Sequence, residues 1–129
     1  MSVRQMRVCG LRPNLNGIKL VLGNLEGTEY VDLSHVGQET YCQTWNIPKA
    51  TTYFETLELG YDTEGPTYLS AITNTGYKFE RGTLKVTDSR AIFTYTAENP
   101  LVGLQAYEKS ESISALGFIK LECFEFETN

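Results

Sequence analysis

Three stretches of the chain repeat one outline: a short apolar strand closed by a glycine, a polar loop, and a second alternating strand. The first joins Val8-Cys9-Gly10 to Gly17–Leu22, the second Leu57–Gly60 to Tyr68–Ile72, and the third Leu101-Val102-Gly103 to Ser112–Gly117. The closing glycines stand 50 and 43 residues apart, which divides the chain into three comparable units. Such repetition predicts a pseudo-symmetric all-β fold. A prism or barrel of strands has no catalytic machinery of its own, so function sits in the loops that join them.

With 129 residues the chain reads as one domain, 1–129, large enough for a core without metal or disulfide support. Eight Tyr, six Phe and one Trp, with Val, Ile and Thr throughout, favour strands over helices. Eleven basic against sixteen acidic residues leave a net charge of −5. That balance lacks the positive footprint that releases counterions from phosphates, so nucleic acid is set aside as a partner, as are anionic membrane surfaces. No apolar run is long enough for membrane insertion. Cysteines at 9, 42 and 123 are odd in number and fit no zinc spacing. They read as free, mostly buried thiols in a reducing compartment, with a Cys9–Cys123 pair open if the terminal strands are neighbours. The segment Met1–Arg7 lacks the apolar run of a secretory signal, which points to the cytoplasm if Met1 is the native start and to secretion if it is not.

Alternation locates the strands. Gly17–Leu22 sets Ile18, Leu20 and Leu22 against Lys19 and Val21, and Tyr30–Leu33 is a short candidate. Ser34–Ala50 reads as long loops with one short strand around Tyr41–Trp45, and Pro48 confines any strand near it to an edge. Tyr53–Leu59 resumes the alternation, and Asp62–Pro66 is a turn. Tyr68–Thr73 and Tyr77–Glu80 form a hairpin across Asn74-Thr75-Gly76. Leu84–Thr87 and Ala91–Thr96 read as a further pair around Asp88-Ser89. Ser110–Leu121 fits either a capped helix or strands, and Gly117 with the alternation beyond it favours strands.

Catalytic patterns are sparse. His35, the single histidine, lies in a polar stretch near Cys42, and a nucleophile pair would need the two to meet beside an orienting group. The carboxylates alternate with apolar residues along strands, as solvated faces do, rather than flanking a cleft. Dispersed glycines make no phosphate cradle, and Asp and Asn show no calcium spacing. The chain therefore reads as no enzyme, with no cofactor and no metal: a binding or assembly module.

The order of segments resembles the jacalin-type lectins. Tyr68–Gly76 followed by Phe79-Glu80-Arg81-Gly82 is similar to that family's middle strands and glycine-rich turn, and Leu101-Val102-Gly103-Leu104 with Ile113–Phe118 to its closing segment. The resemblance spans roughly residues 3 to 121. It implies a β-prism of three four-stranded antiparallel sheets with pseudo-threefold symmetry. Here the chain begins at what would be the family's second strand, and Glu122–Phe126 could supply a compensating one.

The resemblance also implies a glycan loop, Gly-x-x-x-Asp in the family, which falls here on Ser110, Glu111, Ser112, Ile113 and Ser114. Both defining residues are serine, at 110 and 114. Asp62 and Gly65 belong to the neighbouring Asp62–Pro66 loop. Two functions follow: carbohydrate recognition through these loops, or a structural or adaptor role in an intracellular assembly. In the second, exposed aromatics such as Tyr41, Trp45 and Tyr107 would meet a protein partner, with a buried Trp45 as the competing reading.

Overall fold

The structure is a computed structural model that describes residues 2–10, 14–24, 30–37, 40–47, 49, 51–109 and 112–121. Every regular element among them is a strand: β1 (Ser2–Cys9), β2 (Gly17–Gly23), β3 (Tyr30–Gly37), β4 (Cys42–Asn46), β5 (Phe54–Asp62), β6 (Gly65–Thr73), β7 (Lys78–Gly82), β8 (Ser89–Thr94), β9 (Leu101–Lys109) and β10 (Ser112–Lys120). They form antiparallel sheets of order β3-β2-β1-β4 and β7-β6-β5-β8, with β9 and β10 as a third, two-stranded sheet among the described residues. The residues at 122–126, expected to add a strand, lie outside those described. The fold is a β-prism.

The first two sheets are the same Greek key written twice. Met6 pairs with Leu20 on one side and Trp45 on the other, and Leu57 pairs likewise with Ala71 and Phe93. These positions turn inward: Met6, Leu20, Trp45, Leu57 and Ala71 are all fully buried. They join Leu101, Ile113 and Phe118 of the third sheet in one core. At the end of β7, Gly82 has φ +92, and a Cβ there would lie 2.2 Å from the Thr67 carbonyl oxygen. Gly37 repeats this at the end of β3, with φ +78 and 1.9 Å to the Asn16 carbonyl oxygen. Only glycine fits a backbone in that conformation at that approach.

Several expectations are corrected. The third unit's glycine opens its strand rather than closing it, since Gly103 is the third residue of β9. The stretch Ser34–Ala50 holds more strand than expected, because β3 runs on to Gly37; the short strand expected around Tyr41–Trp45 is present as β4, Cys42–Asn46, at an edge of its sheet as Pro48 required. Leu84–Thr87 is not a strand and does not pair with β8, which pairs with β5. Its backbone is satisfied in a turn: the Lys85 N–H donates to Asp88 Oδ2 at 2.9 Å, and the Asp88 N–H to the Lys85 carbonyl at 3.0 Å. Ser110–Leu121 is strand from Ser112, as favoured.

The cysteine reading is also overturned. Cys9 and Cys42, opposite one another in the β1–β4 ladder, form a disulfide. They are therefore not free thiols, and Cys9 is not available to Cys123, which lies outside the described residues.

Candidate functional site

Described residues at or just before the start of the second strand of each unit meet at one end of the prism. Leu15, Pro66 and Ile113, each just before or at the start of the second strand of its unit, are all buried. The Leu15 N–H donates to the Pro66 carbonyl at 2.9 Å. Gly65, with φ +142, comes so close to the third unit that a Cβ would lie 2.2 Å from the Ile113 carbonyl oxygen and 3.5 Å from Ser114 Cα. The Asp62–Gly65 turn and the start of β10 are thus neighbours, because a residue without a side chain separates them.

Asp62 organises its own turn. Its Oδ1 accepts the Glu64 N–H at 2.8 Å, the Gly65 N–H at 3.1 Å and Asn14 Nδ2 at 3.2 Å. The backbone N–H of Glu64, ahead of the other donors, holds the carboxyl below its ordinary range, with partial desolvation opposing. Oδ2 takes part in none of these bonds. Asn14 went unnoticed in the sequence, where it is one more polar residue of the first loop; only its contact across units reveals it.

Of the proposed glycan-loop residues, Ser110 and Glu111 lie outside the described residues. Ser112 opens β10, paired with Lys109. Ser114 is exposed, and its Oγ donates to the Tyr107 carbonyl at 3.0 Å. A cleft of about 300 Å³ adjoins it, lined by Leu59, Tyr61, Pro66, Ser114 and Leu116 among others. Tyr61 is 41% exposed there. An aromatic ring, a hydroxyl and apolar walls suit a small polyhydroxylated ligand. Asp62, Gly65, Ser112 and Ser114 are accordingly grouped around one end of the fold.

Other candidates are dispersed. His35 is on β3 and Cys42 on β4, the two opposite edges of one four-stranded sheet, and Cys42 is in a disulfide, so they make no nucleophile pair. Trp45 is fully buried and stacks on Phe79, ring centroids 5.6 Å apart, which removes it from any contact surface. Tyr41 and Tyr107 are exposed. Tyr41 has φ 54, and its carbonyl accepts from the Gly10 N–H and from Arg81 Nη2.

No protein-family model matches the sequence, and neither does any curated protein. Solved structures do match. The prostate-specific WGA16 glycoprotein lectin superposes with TM-score 0.71 at 15% identity, over 93% of this chain and 82% of that one. Artocarpin complexed with methyl-α-mannose gives TM-score 0.72 at 11% identity, over 93% and 83%. The mannose-binding lectin from Champedak gives 0.73 at 11%, over 95% and 83%. At these identities the likeness shows the fold, which is that of the jacalin-type lectins.

Proposed function

We propose that this chain is a non-catalytic carbohydrate-binding module that meets its glycan where the Asp62–Pro66 and 110–114 loops adjoin. The observation that carries this reading is the approach of Gly65 to Ile113, which brings the Asp62–Gly65 turn beside a cleft lined by Tyr61, Pro66 and Ser114. Structural neighbours described as mannose-binding support a glycan as the ligand class. Serine at 110 and 114 in place of glycine and aspartate sets the strength. A millimolar site is worth only about −4 kcal/mol, and a charged hydrogen bond contributes roughly 1.5–3 kcal/mol of that. Binding by a single copy is therefore weak and gains from multivalent display.

The test is a glycan array with the protein clustered on a multivalent support, followed by titration of the monomer with methyl-α-mannoside. Binding that Ser114→Ala or Tyr61→Ala weakens supports the site. Silence on the array and at tens of millimolar sugar discards the reading.

A structural or adaptor role is the second reading, favoured by the exposure of Tyr41 and Tyr107. A chain that stays monomeric and captures no partner counts against it. For localisation, the Cys9–Cys42 bond supports an oxidising compartment over the cytoplasm.

A further inference from the structure

A larger cleft, of about 490 Å³, opens at the opposite end of the prism, between the β4–β5 connection of the first sheet and the β6–β7 turn of the second. Strand β6 carries Pro66 in the wall of the first cleft and Thr73 in the wall of this one, seven steps at ~3.3 Å each, so these walls are roughly 23 Å apart.

Its walls are fixed from within. Arg4, 6% exposed, donates from Nη1 to the Thr52 carbonyl at 2.6 Å and from Nη2 to the carbonyls of Ile47 and Lys49. Asn74 ties the second wall to the first, accepting the Tyr53 N–H at 2.9 Å and donating to the Thr51 carbonyl at 3.1 Å. The Thr73–Tyr77 turn is closed by the Tyr77 N–H on Thr73 Oγ1 at 3.1 Å and the Thr73 N–H on the Tyr77 carbonyl at 2.9 Å. Such a site needs little ordering when a ligand enters.

The lining combines three chemistries. An aromatic ladder climbs from buried Trp45 through Phe79 to Tyr77, which is 63% exposed and packs edge-on to Phe79 at 4.9 Å. Hydroxyl and amide groups come from Thr44, Thr75 and Asn46. Among the described residues that line it, Lys49 supplies the one formal charge and none is a carboxylate. Among the described residues no carboxylate pairs with its ammonium. Glu80 does not neutralise it, being on the other face of β7 with Lys78 at 3.3 Å. In a chain of net charge −5, this pocket is locally cationic.

We infer that this cleft binds a carboxylate-bearing pyranose, its apolar face on Tyr77, its hydroxyls toward Thr44, Asn46 and Thr75, and its carboxylate toward Lys49. The site is independent of the loop end, and would give one domain two saccharide contacts.

Amide NMR of the full chain, titrated with methyl glucuronide and with neutral methyl glucoside, tests this. The glucuronide is expected to shift signals of residues 44–52 and 73–79 in the millimolar range, about fivefold more tightly than the glucoside, the factor an exposed ion pair can supply. Lys49→Ala, which keeps the backbone carbonyl that Arg4 uses, should erase the preference. Tyr77→Ala should weaken both sugars, and Ser114→Ala neither; dispersed spectra confirm that each variant is folded. No shifts at these residues at tens of millimolar, shifts confined to residues 61–66 and 112–116, or a preference that survives Lys49→Ala would each overturn the inference.

Discussion

Cys9 of β1 and Cys42 of β4 stand opposite one another with Cα atoms 4.0 Å apart, joined by a disulfide that spans 33 residues. The closed loop contains all of β2 and β3, so the bond ties the edge strand β4 to the centre of its sheet. Removing such a cross-link enlarges the unfolded ensemble.

Cys42→Ser is therefore expected to lower stability by about 2–4 kcal/mol. Urea unfolding with and without reductant checks it. Reductant should destabilise the parent chain and leave the variant unchanged; an equal response of the two would contradict the bond's role.

Glycines with the same backbone angle differ in what surrounds them. Gly76 has φ +91 and nothing within 4 Å of a Cβ, whereas Gly82 has φ +92 and the Thr67 carbonyl oxygen at 2.2 Å. Gly76→Ala should cost only the left-handed penalty, about 1–2 kcal/mol. Gly82→Ala adds a backbone collision and should cost at least ~3 kcal/mol, read from denaturant midpoints.

Arg4 holds three carbonyls of the β4–β5 connection from a buried position. Arg4→Met leaves those acceptors without their donor and should destabilise by about 3 kcal/mol. Hydrogen exchange should rise at residues 47–53 more than in the β9–β10 hairpin. Uniform exchange across both would refute the local account.

The Asp62 carboxyl sits below its ordinary value of 3.8, mainly through the Glu64 N–H. A carboxyl depressed in the folded state contributes stability that is complete above its unfolded pKa and lost as pH falls through the folded one. Stability should thus decline below about pH 4. Glu80, lowered by the Tyr68 hydroxyl and by Lys78, contributes in the same direction. Asp62→Asn keeps the Oδ1 acceptor without the charge, so its decline should be shallower than the parent's; thermal melts from pH 2 to 7 measure the difference.

The strands were legible because a sheet with one buried face imposes period two on its residues, as in Gly17–Leu22 and Tyr53–Leu59. Leu84–Thr87 misled for the same reason: it alternates, yet Val86 is fully exposed at a turn that Asp88 closes through side-chain bonds. Gly103 kept the expected spacing while changing its place within the strand, since a glycine marks a permissive backbone position without stating why one is needed.

Of the candidate cleft, Asp62, Gly65 and Ser114 were singled out from the chain, and the family resemblance set their loops side by side. The contact that joins them, Gly65 against Ile113, was not legible there. By itself the sequence determined most of the extended segments and the turns between them, and the absence of any phosphate-cradling glycine run. Only the tertiary structure decided which strands are neighbours beyond the Tyr68–Glu80 hairpin, that Cys9 meets Cys42, and that the Asp62–Gly65 turn meets the start of β10 at one end while a second cleft opens at the other. The physical reason is that alternation records how each residue faces water, a local property. Partnership between strands depends on contacts across the sheet and between sheets, and no single segment encodes those.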